Sequence, residues 1–149
     1  MKTRQRLWVV CVLILVTAPI SGSPNLSSAP MPARHRSLLH AGWKFRQVGK
    51  IDWYPADVPG CVHTDLLKNN LIDDPFFRDN EQKLQWIGET DWEYQTSFSV
   101  APEILNLQHI ELVIAGLDTY AQVFLNESLL LEANNMFREW RVDGKSLLK

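Results

Sequence analysis

The sequence has only two cysteines in its 149 residues, Cys11 and Cys61. That excludes a disulfide framework and any metal cage built on several thiolates. It also lacks a basic excess, with 15 Lys and Arg against 17 Asp and Glu for a formal charge of -2. A duplex-binding domain concentrates positive charge on one face, so no nucleic-acid partner is expected. No Gly-rich phosphate loop and no Gly-x-Ser-x-Gly elbow occurs. His35, His40, His63 and His109 share no metal-ligand spacing and read as surface or capping residues. There is no heptad run and no repeat of the length that marks a solenoid. Neither a cofactor nor a metal is expected. What remains is an ordinary globular composition, 46% hydrophobic and 21% charged, of about one domain's length. This excludes a disordered or collagen-like chain.

The amino terminus reads as an address. Lys2, Arg4 and Arg6 precede an unbroken apolar run, Leu7 to Val16, and Ile20-Ser21-Gly22 follows with small residues. The run is ten residues long, whereas a spanning helix needs about 20. Residues 1–22 are therefore predicted to be a cleaved secretory signal, with an amino-terminal membrane anchor as the alternative. Cleavage would remove three basic residues, leaving 12 against 17 acidic ones, or -5. It would also remove Cys11, so that Cys61 becomes the only thiol and reads as a small packed side chain. After cleavage no membrane association is expected. Residues 23–37 are rich in Ser, Pro and Ala and read as a linker.

From Leu38 onward the pattern is mostly of period two. Trp43 and Phe45 alternate with Lys44 and Arg46. Trp92, Tyr94, Thr96, Phe98 and Val100 alternate with Glu93, Gln95, Ser97 and Ser99, which places the first set on a core and the second in water. Pro102 should stop that strand. Ile110 to Ala115 predicts another, ended by Gly116. Tyr120 to Leu125 and Ser128 to Glu132 flank Asn126-Glu127 as a hairpin, and Trp140 with Val142 suggests one more strand. Between them, Cys61 to Leu71 predicts a short helix ended by Asn69-Asn70. An aromatic-rich loop then runs from Asp73 through Trp86. Short strands at roughly ten-residue spacing indicate an all-β sandwich over residues 38–149. Leu147-Leu148 looks like the start of a further packed element, so the sandwich is expected to be incomplete at its C-terminal end.

Few residues carry chemistry. The carboxylates Asp73-Asp74 and Glu89 with Asp91 are too close in sequence to flank a glycosidic bond, which requires two groups held about 5–10 Å apart. Trp53, Trp86 and Trp140 have flat apolar faces suited to a sugar ring, while the alternating Trp92, Tyr94 and Phe98 read as core. Two sequons, Asn25-Leu26-Ser27 and Asn126-Glu127-Ser128, are candidate glycosylation sites.

Several segments, in order, carry a family resemblance. Val58-Pro59-Gly60-Cys61-Val62-His63-Thr64-Asp65-Leu66 resembles the VPG-x-VH-x-DL stretch of β-mannosidases in glycoside hydrolase family 2. Asp74-Pro75-Phe76, Asn80-Glu81, Gln85-Trp86 and Asp91-Trp92-Glu93-Tyr94 continue it. Gly116-Leu117-Asp118-Thr119-Tyr120-Ala121 and Asn134-Asn135-Met136-Phe137 complete it, so that it covers about Gly42 to Arg141. The hairpin departs from the family's Leu-Asn-Gly, because Glu127 would be strained at positive φ.

The resemblance implies a jelly-roll, galactose-binding-like β-sandwich that precedes immunoglobulin-like domains and a (β/α)₈ barrel. It implies a retaining exo-β-mannosidase cutting terminal β-D-mannose from oligosaccharides. The family's two catalytic Glu residues lie on the barrel, so no catalytic residue is assigned here, and its Gly-Trp-Asp-Trp-Gly loop is absent. By position Asn80 matches a family Asn that reaches the sugar pocket, with Trp86 a second candidate for substrate binding. The expected partners are an oligosaccharide ending in β-mannose and the chain's own downstream barrel. The expected location is the lysosome or the outside of the cell, or the periplasm in a bacterium. A stand-alone carbohydrate-binding module is the alternative.

Overall fold

The computed structural model describes residues 4–9, 13–15 and 35–149. Among these residues, nine strands form two antiparallel sheets. The larger has the order β4-β3-β5-β1-β7-β8 and the smaller the order β2-β6-β9. The strands are β1 (Arg4–Val9), β2 (Leu13–Leu15), β3 (Lys44–Gln47), β4 (Tyr54–Pro55), β5 (Trp92–Ser99), β6 (Glu111–Gly116), β7 (Ala121–Leu125), β8 (Ser128–Ala133) and β9 (Trp140–Asp143). Three short helices interrupt them: α1 (Val62–Lys68), α2 (Asn80–Lys83) and α3 (Pro102–Leu105). This is the strand-dominated, open sandwich that the period-two pattern predicts. Among the described residues, no helix is long and apolar enough to cross a membrane.

The core forms where the alternation is strictest. Phe45 is fully buried and stacks on Tyr94 at 5.6 Å, with Trp92 at 5.9 Å. Leu112 and Ile114 of β6, and Val123 and Leu125 of β7, close over them. Register explains the aromatic cluster, since Phe45 lies opposite Tyr94 on paired strands, and directly opposed residues bring their side chains together.

Four local expectations are modified. Gln95, on the water-facing set of β5, is buried, because β5 is an interior strand with neighbours on both sides. Pro102 does stop β5 but then opens α3, where its missing N–H costs nothing. Cys61 is exposed rather than packed: it caps α1, where Thr64 Oγ1 donates to its carbonyl at 2.7 Å and its N–H donates to Thr64 Oγ1 at 3.3 Å. The Asn126-Glu127 turn places both residues at positive φ, 49° and 70°, so the hairpin has its tight two-residue form despite the glutamate.

The span read as a secretory signal contributes two strands. β1 sits between β5 and β7, and β2 pairs with β6. Residues 23–34 of the linker, the sequon asparagine Asn25 and Cys11 lie outside the described residues.

Candidate functional site

Strand directions gather the loops. β1 runs antiparallel to both β5 and β7, so Val9 faces Tyr94 on one side and Val123 on the other. The start of β5 and the start of β7 therefore lie at the same end of the large sheet. β8 returns to that end, with Ala133 opposite Ala121, and so does β3, with Gln47 opposite Trp92. Four connections open there: the segment after β3, the loop into β5, the loop into β7 and the loop out of β8.

These connections hold most of the exposed large apolar residues. Ile51 follows β3; Phe76, Phe77 and Trp86 precede β5; Tyr120 precedes β7; Met136 and Phe137 follow β8. Phe76, Tyr120 and Phe137 are 97%, 82% and 89% exposed, which no core requirement explains. Two of the loops touch, since Thr119 Oγ1 donates to Met136 Sδ at 3.7 Å. Exposed apolar side chains gathered at one end of a sheet suit a surface that meets another molecule or domain.

The loop into β5 is internally built. Asp74 Oδ1 accepts from the Phe76 N–H at 2.9 Å, and the Asp74 carbonyl accepts from both the Phe77 N–H and Asn80 Nδ2, at 3.1 and 2.9 Å. Arg78 adopts φ 55° to complete the turn. Asn80, at the start of α2, is buried, and one amide hydrogen is committed to holding the loop. No hydrogen bond to its Oδ1 occurs among the described residues, and Asn80 lines a hollow of about 380 Å³ together with Asp73, Phe77 and Lys83 among others. Trp86 stands on a single 3₁₀ turn, Gln85–Ile87, with its ring 6.0 Å from that of Trp92 and part of its face in solvent. Trp92 is in turn fixed by donating from Nε1 to the Ile87 carbonyl at 3.0 Å. Asn80 and Trp86 thus share a loop, but Trp86 does not line the hollow beside Asn80.

The other candidates separate. Trp53 lies under Lys44 and Arg46 at 4.6 and 4.4 Å, and Trp140 under Arg138 at 4.0 Å, so cations already cover both rings. The four histidines are exposed, and no cluster of metal-ligating side chains occurs among the described residues. Asn126 is half-buried and donates from Nδ2 to the Leu147 carbonyl at 2.6 Å, which engages the nitrogen that a glycan would need.

One titratable group is set deep in the fold. Asp65, on α1, is 1% exposed. Its Oδ1 accepts from the Asp57 N–H at 3.0 Å and its Oδ2 from the Tyr94 hydroxyl at 2.8 Å. Burial pushes its pKa above the ordinary carboxylate value, and the two hydrogen bonds oppose that rise. The arrangement ties α1 to β5. Only the alternation of β5 hinted that Tyr94 would point inward, and nothing in the sequence marked Asp65 as its partner.

Residues 43–149 match the family model described as "Glycosyl hydrolase 2 galactose-binding domain-like". The chain belongs to this family. Relatives of this glycosyl hydrolase 2 domain include "Beta-mannosidase B" of Thermothelomyces thermophilus, 42% identical over 74% of the chain and 13% of the relative. "Beta-mannosidase" of Capra hircus is 33% identical over 74% of the chain and 13% of its own length. The solved β-D-mannosidase of Dictyoglomus thermophilum superposes with a TM-score of 0.73 at 41% identity, over 74% of this chain and 14% of that one. The glycosyl hydrolase 2 domain thus spans roughly an eighth of the length of the enzymes it matches.

Proposed function

We propose that the chain is the amino-terminal sandwich of a retaining exo-β-mannosidase that removes terminal β-D-mannose from oligosaccharides. In this reading it supports and rims an active site whose two carboxylates lie on a barrel elsewhere in the polypeptide. One observation carries the reading: the exposed aromatic side chains converge at a single end of the large sheet, on loops that include Asn80 and Trp86. Flat aromatic faces and a neutral amide suit both a sugar ring and the mouth of a glycosidase pocket. Asn80 Oδ1 would accept from a sugar hydroxyl, and Trp86 would cover an apolar ring face. In this reading both catalytic carboxylates belong to the barrel, so the chain alone would bind and turn over little. The leader would route the product to the lysosome or out of the cell, with Asn25 and Asn126 as glycan acceptors.

The test is hydrolysis of a chromogenic β-mannoside by the full-length polypeptide and by residues 1–149. The full-length polypeptide should turn over and the short chain should not. In the full-length enzyme, Asn80→Ala and Trp86→Ala should raise KM. Turnover by residues 1–149 would overturn the assignment of catalysis to another domain. Tight mannose binding by residues 1–149, with no activity in the longer polypeptide, would favour a stand-alone binding module.

A further inference from the structure

Asp74-Pro75-Phe76-Phe77 has the composition of a turn. Proline presets φ at the second position, and an aspartate ahead of it bonds the backbone two residues on. Both devices operate, through the Asp74 Oδ1 bond to the Phe76 N–H and the Asp74 carbonyl bond to the Phe77 N–H. The Asn80 N–H then donates to the Phe77 carbonyl at 3.2 Å. These bonds bring the Asn80 side chain back to the first residue of the turn, where Nδ2 donates to the Asp74 carbonyl at 2.9 Å.

That bond fixes which way the amide points. A carbonyl only accepts, so it selects the nitrogen end of the amide, and a flipped Asn80 would set oxygen against oxygen. Oδ1 is therefore turned away from Asp74, on a residue that is 8% exposed, and it accepts no hydrogen bond among the described residues. Buried polar atoms are nearly always partnered, and an asparagine kept only to hold the loop would use both ends. The cations that line the same hollow are already engaged: Lys83 donates to Asp79 at 2.9 Å and Arg78 lies over the Phe77 ring at 5.0 Å. What is left over is a neutral acceptor, which suits a neutral hydroxyl donor better than an ion.

We propose that Asp74 is a positioning residue that makes Asn80 a one-way reader, holding Oδ1 ready to accept from a substrate hydroxyl. The proposal rests on the reading of Asn80 as a sugar contact. Asp74 itself meets no substrate. Its carboxylate shapes the turn, and its carbonyl takes the amide hydrogen. Without the carboxylate the turn loosens, the amide is free to flip, and the site loses its preference for a donor.

Steady-state hydrolysis of a chromogenic β-mannoside by the full-length polypeptide tests it. The variants are Asp74→Ala, Asp74→Asn, Asn80→Ala and the double variant Asp74→Ala with Asn80→Ala. Asp74→Ala should raise KM about three- to tenfold, the size of one neutral hydrogen bond, and leave kcat unchanged. Asp74→Asn keeps an Oδ1 for the Phe76 N–H and should restore the wild-type KM. The double variant should be no worse than Asn80→Ala, because Asp74 acts only through Asn80. In a set of monodeoxy β-mannosides, the analogue that fails to distinguish wild type from Asn80→Ala should also fail to distinguish wild type from Asp74→Ala. A fall in kcat alone, as expected from loss of folded enzyme, would overturn the proposal. So would additive effects on KM in the double variant, or an Asp74→Ala variant with wild-type KM. Absence of β-mannoside hydrolysis by the wild-type full-length polypeptide would instead overturn the enzymatic reading. The bond is then judged by urea unfolding of residues 1–149 with the same variants, where strictly additive losses would show that Asp74 does not hold Asn80.

Discussion

Replacing Asp65 probes the bond that joins the helix to the sheet. Asp65→Ala removes the acceptors of two hydrogen bonds, one from the part-buried Asp57 N–H and one from the buried Tyr94 hydroxyl. The Asp57 N–H can turn to water, so the loss should be roughly 1–3 kcal/mol, set mainly by the lost bond to Tyr94. Asp65→Asn keeps one acceptor and allows the Tyr94 hydroxyl to accept instead of donate, and should cost about 1 kcal/mol. The pH dependence separates charge from packing. Because burial raises the folded-state pKa, the folded chain holds the proton more readily than the unfolded chain does. The stability from this site is complete below the unfolded carboxylate value and is lost as pH rises through the raised folded value. Urea unfolding of wild type and Asp65→Asn across the acid-to-neutral range measures it. The advantage of wild type over the asparagine variant should be largest in acid and should shrink toward neutrality. An advantage that grows with pH would refute the argument, since it would mean that the two hydrogen bonds outweigh burial. Loss of less than about 1 kcal/mol in Asp65→Ala would show that the site rehydrates.

Other expectations follow from single positions. Glu127→Gly should stabilise the chain by about 0.5–1 kcal/mol in urea unfolding, because glutamate holds φ 70° where glycine is unstrained. Phe45→Ala should cost about 3–5 kcal/mol, since the ring is fully buried among Tyr54, Trp92 and Tyr94, and thermal unfolding would detect it. Cys61 should react with a thiol reagent in the folded protein without denaturant, since it is exposed; slow labelling would place it inside. Peptide mapping of the chain expressed through a eukaryotic secretory route should find Asn126 largely without a glycan, since its Nδ2 is engaged by the Leu147 carbonyl.

Most of the strands were legible because their side chains obey period two. Tyr120 to Leu125 sorts into buried and solvated sets, Trp92 to Val100 does so except at Gln95 and Phe98, and the hairpin at Asn126 could be seen from its flanking strands. What escaped depends on neighbours distant in sequence. Gln95 is buried only because β5 gains a partner on each side, which no window of β5 can reveal. α2 and the turn at Gln85–Ile87 are too short to develop a helical period, so the loop from Asp73 to Trp86 read as irregular. Within the candidate site, Asn80 was singled out through the resemblance and Trp86 also by its flat ring in a loop, but Asn80's bond to the Asp74 carbonyl was not foreseen. The rim of Tyr120, Met136 and Phe137 was hidden for a different reason. Each residue is unremarkable alone, and only the strand directions bring them to one end.

Those directions also set a distance. The Leu147 carbonyl sits on Asn126, at the end of β7, whereas the aromatic loops lie beyond Trp92, at the opposite pole of the sheet. β5 is eight residues long, so the two poles stand about 26 Å apart. A single partner that covered the aromatic pole and also reached the Asn126 turn would have to span that length.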